Sequence, residues 1–155
     1  GCGAGFPGVP LAIASGAKVT LLDSLGKRMK WLETVLPQLG VSAQCITARA
    51  EEAVTDRRET YDYATSRAVA RLNILLELTA PYVKVGGAVL AMKGAAAREE
   101  LAESANAIRK LGLQLEEVRE FPIDGTNHAV IVLRKIAPTP RQYPRRFSKI
   151  KQAPL

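Results

Sequence analysis

An α/β fold whose mostly parallel sheet ends in an antiparallel hairpin is predicted for this chain of 155 residues, and three observations predict it. Apolar runs of strand length alternate with stripes of helical spacing, the pattern of successive βαβ units. The chain opens on Gly1-Cys2-Gly3-Ala4-Gly5-Phe6-Pro7-Gly8, a glycine-rich loop, and the apolar run that follows it ends in Asp23. Near the other end, residues 113–121 and 128–135 both read as strands with only a short turn holding Asp124-Gly125 between them. No crossover helix fits that gap, so the two must pair antiparallel.

The elements follow in order. Pro10 fits the first turn of a short helix over residues 11–14, with Gly16 just past its end. Residues 18–22 form a buried strand. Ser24 is a capping residue type, and Leu25, Met29, Leu32 and Leu36 then recur at helical spacing until Pro37 and Gly40 close the helix. Trp31 borders that stripe and reads as packing rather than as a base-stacking platform. Ala43–Thr47 is the next strand, followed by Arg49-Ala50-Glu51-Glu52. Residues 61–66 make another strand, with Arg67 directly after it. A helix over 73–80 ends near Pro81, and Val83-Lys84-Val85-Gly86-Gly87 turns into a strand over 88–93. Residues 96–111 have the spacing of one amphipathic helix, with Gly112 as its stop.

The opening loop points to a nucleoside-containing cofactor. Glycines let a backbone turn tightly and approach a ligand closely, because no Cβ intervenes. An acid about 20 positions into such a unit, at the end of the next strand, is placed to accept hydrogen bonds from ribose hydroxyls. Asp23 is that acid. The loop departs from the dinucleotide fingerprint, whose third glycine falls at Phe6. A parallel sheet finished by an antiparallel hairpin is the layout of class I S-adenosylmethionine (SAM) methyltransferases, a Rossmann-like fold. Dinucleotide dehydrogenases continue with parallel units instead.

Composition narrows the class further. An apolar share of 47% and a charged share of 24% fit a globular domain able to bury a core. No apolar run approaches the ~18 residues of a membrane span. Charge is unevenly placed: Asp124 is the last acid, and Arg134, Lys135, Arg141, Arg145, Arg146, Lys149 and Lys151 follow it, so the net charge of +7 resides there. A one-signed arm on a neutral body favours a polyanion such as RNA. Residues 1–136 are therefore expected to form the cofactor-binding domain, with 137–155 as a basic tail kept extended by its prolines. Cys2 and Cys45 lack metal-ligand spacing, so no metal site is expected, and a reducing cytoplasm suits them. The chain begins inside its motif, so a first strand in front of the loop is expected in a longer parent.

Several strings resemble one family, the bacterial ribosomal RNA small-subunit methyltransferase G family (glucose-inhibited division protein B). They are GCGAGFPGVPLAIA, VTLLDSLGKRMKWLE, the ARAEE segment, YDYATSRAVARLNILLEL, VKVGGAVLAMKG and TPRQYPRRFSKIKQAPL. The resemblance implies methylation of the N(7) atom of a guanine in 16S ribosomal RNA with SAM as cofactor. It implies a partner in 16S ribosomal RNA or the small ribosomal subunit, and no membrane. It also implies cofactor contacts at Gly1, Phe6, Asp23, Ser24, Ala50, Glu51 and Arg67; Gly3 joins them through the loop's own chemistry. Phe6 packs on the cofactor or plugs the core. Ala50 and Glu51 flank the adenine or form a solvated first turn.

RNA contacts are expected where cations gather. Arg71 lies beyond a strand's carboxyl end and either meets RNA or pairs with Glu77; Lys93 meets RNA or is simply solvated. Arg145 and Arg146, set between Tyr143 and Phe147, are placed to track phosphates while the rings stack on bases. His128, the single histidine, reads as a structural edge residue. No catalytic acid or base is assigned, because N(7) of guanine carries a free lone pair and no proton. Other readings of the same residues are a methyltransferase for a small molecule or protein, a nicotinamide oxidoreductase, and a non-catalytic RNA-binding module.

Overall fold

Strands and helices alternate as the periodicities require in a computed structural model that describes residues 1–155. The chain divides into two units, Gly1–Ala53 and Val54–Leu155. In the first unit, helix α1 (Gly8–Ser15) leads to strand β1 (Val19–Asp23), helix α2 (Gly26–Val35), strand β2 (Ala43–Thr47) and the short helix α3 (Ala50–Ala53). β1 and β2 pair in parallel, with Val19 opposite Ala43 and Asp23 opposite Thr47. A parallel pair needs a crossover, and α2 supplies it.

Spacing explains how α2 sits. Met29, Leu32 and Leu36 repeat at intervals of three and four, so they share one face, which packs with Val9 and Leu21 into the unit's core. Met29 and Leu32 are each 1% exposed, and burying side chains of that size contributes roughly 1.5–3 kcal/mol apiece. Trp31 lies off that stripe and is 51% exposed, so it packs against the fold only in part. The Ser24 cap is corrected as well. α2 starts at Gly26 with Leu25 as its cap residue and no side-chain cap. Asp23 takes that part: its Oδ1 accepts the Leu25 N–H at 3.0 Å, as a short acidic side chain does two residues on.

The second unit holds strand β3 (Tyr61–Arg67), helix α4 (Leu72–Thr79), strand β4 (Val83–Lys93), helices α5 (Ala97–Glu103) and α6 (Ala105–Lys110), strands β5 (Leu113–Ile123) and β6 (Thr126–Lys135), and helix α7 (Phe147–Gln152). The sheet order is β3-β4-β6-β5. β3 runs parallel to β4, whereas β6 is antiparallel to both β4 and β5. This is the class I methyltransferase layout: a parallel α/β sheet closed by an antiparallel hairpin. Ile123 pairs with Thr126 across Asp124 and Gly125, whose φ angles are +48° and +74°. Two successive positive φ angles mark the turn whose twist matches that of a hairpin.

Three segments differ from the sequence reading. Residues 83–87 belong to β4 rather than to a turn before it. The single helix over 96–111 is two, broken where Ser104 takes φ −91° and ψ 3° and its hydroxyl donates to the Glu100 carbonyl at 2.6 Å. Serine bonds its own backbone in this way and competes with helical continuation. The tail is not extended throughout. Three of its four prolines fall at 138–144, and the stretch between them and Pro154 forms α7. Ile150 is fully buried, and Tyr143, 7% exposed, joins the main core with Leu72, Leu76 and Leu133.

Candidate functional site

The glycine loop is held by the end of β1. Cys2 N–H donates to the Leu22 carbonyl at 2.9 Å, and Gly5 and Phe6 N–H groups both donate back to the Cys2 carbonyl, at 2.9 and 3.1 Å. Gly3 N–H donates to Asp23 Oδ2 at 2.9 Å. Asp23 is 3% exposed and engages one backbone N–H through each oxygen, from Gly3 and from Leu25. Burial works to raise its pKa; the two N–H donors and nearby positive charge, including Arg28 at 3.7 Å, outweigh it and hold the carboxyl below its ordinary value. Asp23 is therefore ionised at neutral pH and fixes the loop against the strand. Each oxygen keeps a further lone pair for a hydroxyl donor.

Gly5 has φ +92°, and a Cβ there falls 2.6 Å from Val9 Cγ2 and 3.1 Å from Leu32 Cδ2. Gly5→Ala is therefore expected to cost about 1–2 kcal/mol in backbone conformation alone, with Val9 displaced. Thermal unfolding of the variant checks this; an unchanged melting temperature contradicts it.

β2 delivers its carboxyl end beside that of β1, since Ala48 N–H donates to the Asp23 carbonyl at 3.1 Å. Ala50 opens α3, and Glu51, its side chain 9% exposed, pairs with Arg49 Nε at 3.1 Å. Glu51 is thus mostly covered, unlike a solvated first turn. Ser24 and Gly1 are exposed at the same end, and Phe6 is 45% exposed, so it does not plug the core. Next to Asp23 lies a cavity of about 500 Å³, walled by Gly3 and Ala4 of the loop and by Leu25, Lys27, Arg28 and Trp31 of α2 and its approach. That volume suits a nucleoside-sized ligand. A glycine cradle, a buried carboxylate at a strand end and an adjoining cavity fit the adenosyl cofactor expected here.

The second unit treats the predicted cations differently. Arg67 ends β3 and is exposed. Arg71 pairs not with Glu77 but with Glu99 at 3.0 Å and Glu103 at 2.5 Å. Lys93 is neither solvated nor presented to a ligand: its side chain is 8% exposed, its ammonium meeting Glu100 at 2.7 Å and the Ala70 carbonyl at 2.6 Å. The expectation of an RNA contact at Lys93 is corrected on that ground. Arg145 is also paired, with its side chain 25% exposed. Its Nε and Nη2 donate to the two oxygens of Glu77, at 2.8 and 2.6 Å, and Glu77 is fully buried. Arg146, next along, is exposed. His128 stacks on Phe121 across the hairpin at 6.4 Å, the structural place expected of it. Burial pushes both cysteine thiols up, so neither is a ready nucleophile. No cluster of three His, Cys, Asp or Glu side chains suited to a metal occurs, and no helix is long and apolar enough to cross a membrane.

Sequence reasoning missed Lys27, Arg28 and Trp31 as lining residues. The available signal was register: they fall between the Leu25, Met29 and Leu32 positions of the stripe, off its buried face.

Comparison with known proteins agrees with this geometry. Residues 1–129 match the family model described as rRNA small subunit methyltransferase G. The whole chain is 47% identical to the ribosomal RNA small subunit methyltransferase G of Clostridium beijerinckii and 42% identical to that of Fervidobacterium nodosum, spanning 67% and 74% of their lengths. Among solved structures it is similar to the 16S rRNA (adenine(1408)-N(1))-methyltransferase of Catenulisporales acidiphilia (TM-score 0.73, 15% identity, 90% of this chain and 84% of that one). It is also similar to Pyrococcus horikoshii TYW2 (TM-score 0.69, 17% identity, 86% and 53%). At such identities the structures speak for the fold, whereas the sequence relatives speak for kinship: the chain belongs to the rRNA small subunit methyltransferase G family, a family of SAM-dependent rRNA methyltransferases.

Proposed function

We propose that this chain is the main part of an enzyme that methylates the N(7) atom of a guanine in 16S ribosomal RNA, working in the cytoplasm on the RNA or the small ribosomal subunit. Family membership supports the reading, and the observation that carries it is the Gly3–Asp23–Leu25 arrangement beside an open cavity. SAM supplies an electrophilic methyl group on a positively charged sulfur. In the proposal the glycine loop, with Gly1 and Phe6, takes its amino-acid end, Asp23 and Ser24 take the ribose, and Ala50 and Glu51 cover the adenine; Arg67 is a proposed cofactor contact on the family resemblance alone. N(7) needs no deprotonation, so these residues need only bind, align and exclude water.

Titration of the full-length protein with SAM, followed by methyl incorporation into 16S ribosomal RNA and mass analysis of the modified nucleoside, tests the proposal. Micromolar binding and 7-methylguanosine are expected; no binding at near-millimolar SAM, or a different methylated nucleoside, overturns it.

RNA contact is assigned to exposed cations of the tail, above all Arg146, rather than to its paired neighbour Arg145. Arg146→Ala is expected to weaken RNA binding and to lower the slope of log affinity against log salt by about one, with SAM affinity and melting temperature unchanged. Retention of the full salt slope removes Arg146 from the interface. Arg71 remains a proposed contact in which RNA phosphate competes with Glu99 and Glu103.

A further inference from the structure

We propose that Arg58, Glu59 and Lys135 are positioning residues that hold the turn at residues 140–143 so that Arg141, at its apex, meets an RNA phosphate. The inference rests on the RNA contact proposed above for the tail and names a further contact within it. It starts from a charge in an unexpected place. Buried positions alternate along β6, and Lys135 follows Ala129, Ile131 and Leu133 in the row that faces the core, opposite Leu113. Lys135 is fully buried. An apolar side chain there would close the core without desolvating an ammonium. Instead the ammonium donates to the Ala80 carbonyl at 2.8 Å and to the Thr139 hydroxyl, and it pairs with Glu59 at 3.3 Å.

Those partners lead to the turn. The Glu59 oxygen that pairs with Lys135 also accepts the Thr139 N–H at 2.8 Å. The Thr139 hydroxyl donates in its turn to the Leu111 carbonyl at 3.0 Å. Arg58 completes the hold: one terminal nitrogen donates to the Thr139 carbonyl at 3.3 Å, and the other donates to the Tyr143 carbonyl. Between those carbonyls the Tyr143 N–H donates to the Pro140 carbonyl at 2.9 Å, closing a turn with Arg141 and Gln142 at its apex. Glu59 has φ +52°, a left-handed conformation that is costly for any residue with a side chain. Its carboxylate, not its backbone, accounts for a glutamate at that place. Arg141 is exposed and pairs with no acid. A guanidinium on a fixed turn suits planar, two-pronged recognition of a phosphate. Buried ionic groups specify an arrangement more than they stabilise one, and the arrangement specified here is that of Arg141.

The test uses the full-length protein with a fluorescent, unstructured oligoribonucleotide followed by anisotropy across a salt series, and SAM followed by calorimetry. Arg141→Ala is expected to lower the slope of log affinity against log salt by about one. Lys135→Met is expected to lower it equally, and the double variant no further than either alone, because the lysine acts through the arginine. Trypsin is expected to cut after Arg141 at least about ten-fold faster in Lys135→Met, as the turn opens, while SAM affinity holds. Glu59→Gly relieves the left-handed backbone and removes only the carboxylate, so it is expected to reproduce Lys135→Met, and it carries the test if that variant does not fold. A parental slope in Arg141→Ala overturns the proposal. So do slopes that add in the double variant, and so does parental cleavage in both Lys135→Met and Glu59→Gly. If the unaltered protein binds no RNA, the tail–RNA reading fails and takes this contact with it, a result distinct from the others.

Discussion

Arg145→Ala lowers the free energy of unfolding by about 3–5 kcal/mol, the cost of leaving a buried carboxylate without its partner. Glu77 is fully buried on α4 and receives three hydrogen bonds from Arg145: from its backbone N–H at 2.9 Å, Nε at 2.8 Å and Nη2 at 2.6 Å. The truncated side chain removes two of them and leaves the charge in place. Glu77→Gln is milder, because the carboxamide accepts a hydrogen bond and carries no charge to desolvate. Urea unfolding of both variants measures the difference. A loss below about 1 kcal/mol for Arg145→Ala means that water reaches Glu77 and that the pair is no anchor. Because the loss is one of folding, deleting the tail is a poor assay of RNA contact, and single substitutions at exposed cations are the clean one.

Asp23→Ala is expected to cost about 2–3 kcal/mol of stability, since it strands the N–H groups of Gly3 and Leu25 that share one ionised acceptor. It is also expected to weaken SAM binding about tenfold, the scale of a lost charge-assisted hydrogen bond. The pH dependence has a definite sign. In the folded protein the carboxyl titrates below its ordinary value near about 4. Its contribution is therefore complete above that ordinary value and is lost as pH falls through the lowered one. The stability gap between parent and Asp23→Asn should hold from neutrality to mild acid and close only in strong acid. A gap that closes as pH rises, or SAM affinity unmoved in Asp23→Ala, removes the residue from its double part.

Much of the architecture was legible because it depends on local pattern. The β1 and β2 strands, the αL glycine at position 16, the stop at Gly112 and the antiparallel hairpin follow from spacing and turn chemistry. The glycine loop and Asp23 were legible for the same reason: their relation is one of sequence distance. What was not legible depends on contacts far apart in sequence. Glu77 and Arg145 are 68 residues apart and Arg71 and Glu103 are 32 apart, and nothing local says which cation meets which acid. Lys93 reads as a rim cation until Glu100 and the Ala70 carbonyl close over it. Ser104 looks helical by periodicity and breaks the helix through a hydrogen bond to its own preceding turn.

Docking of Tyr143 and Ile150 into the core has a thermodynamic consequence for association with any polyanion. A dangling basic arm surrenders its conformational freedom on landing, and that loss is subtracted from every electrostatic contact it makes. Here the backbone share of that loss has already been met during folding, so under the proposed RNA contact Arg146, Lys149 and Lys151 would have only their side chains left to immobilise.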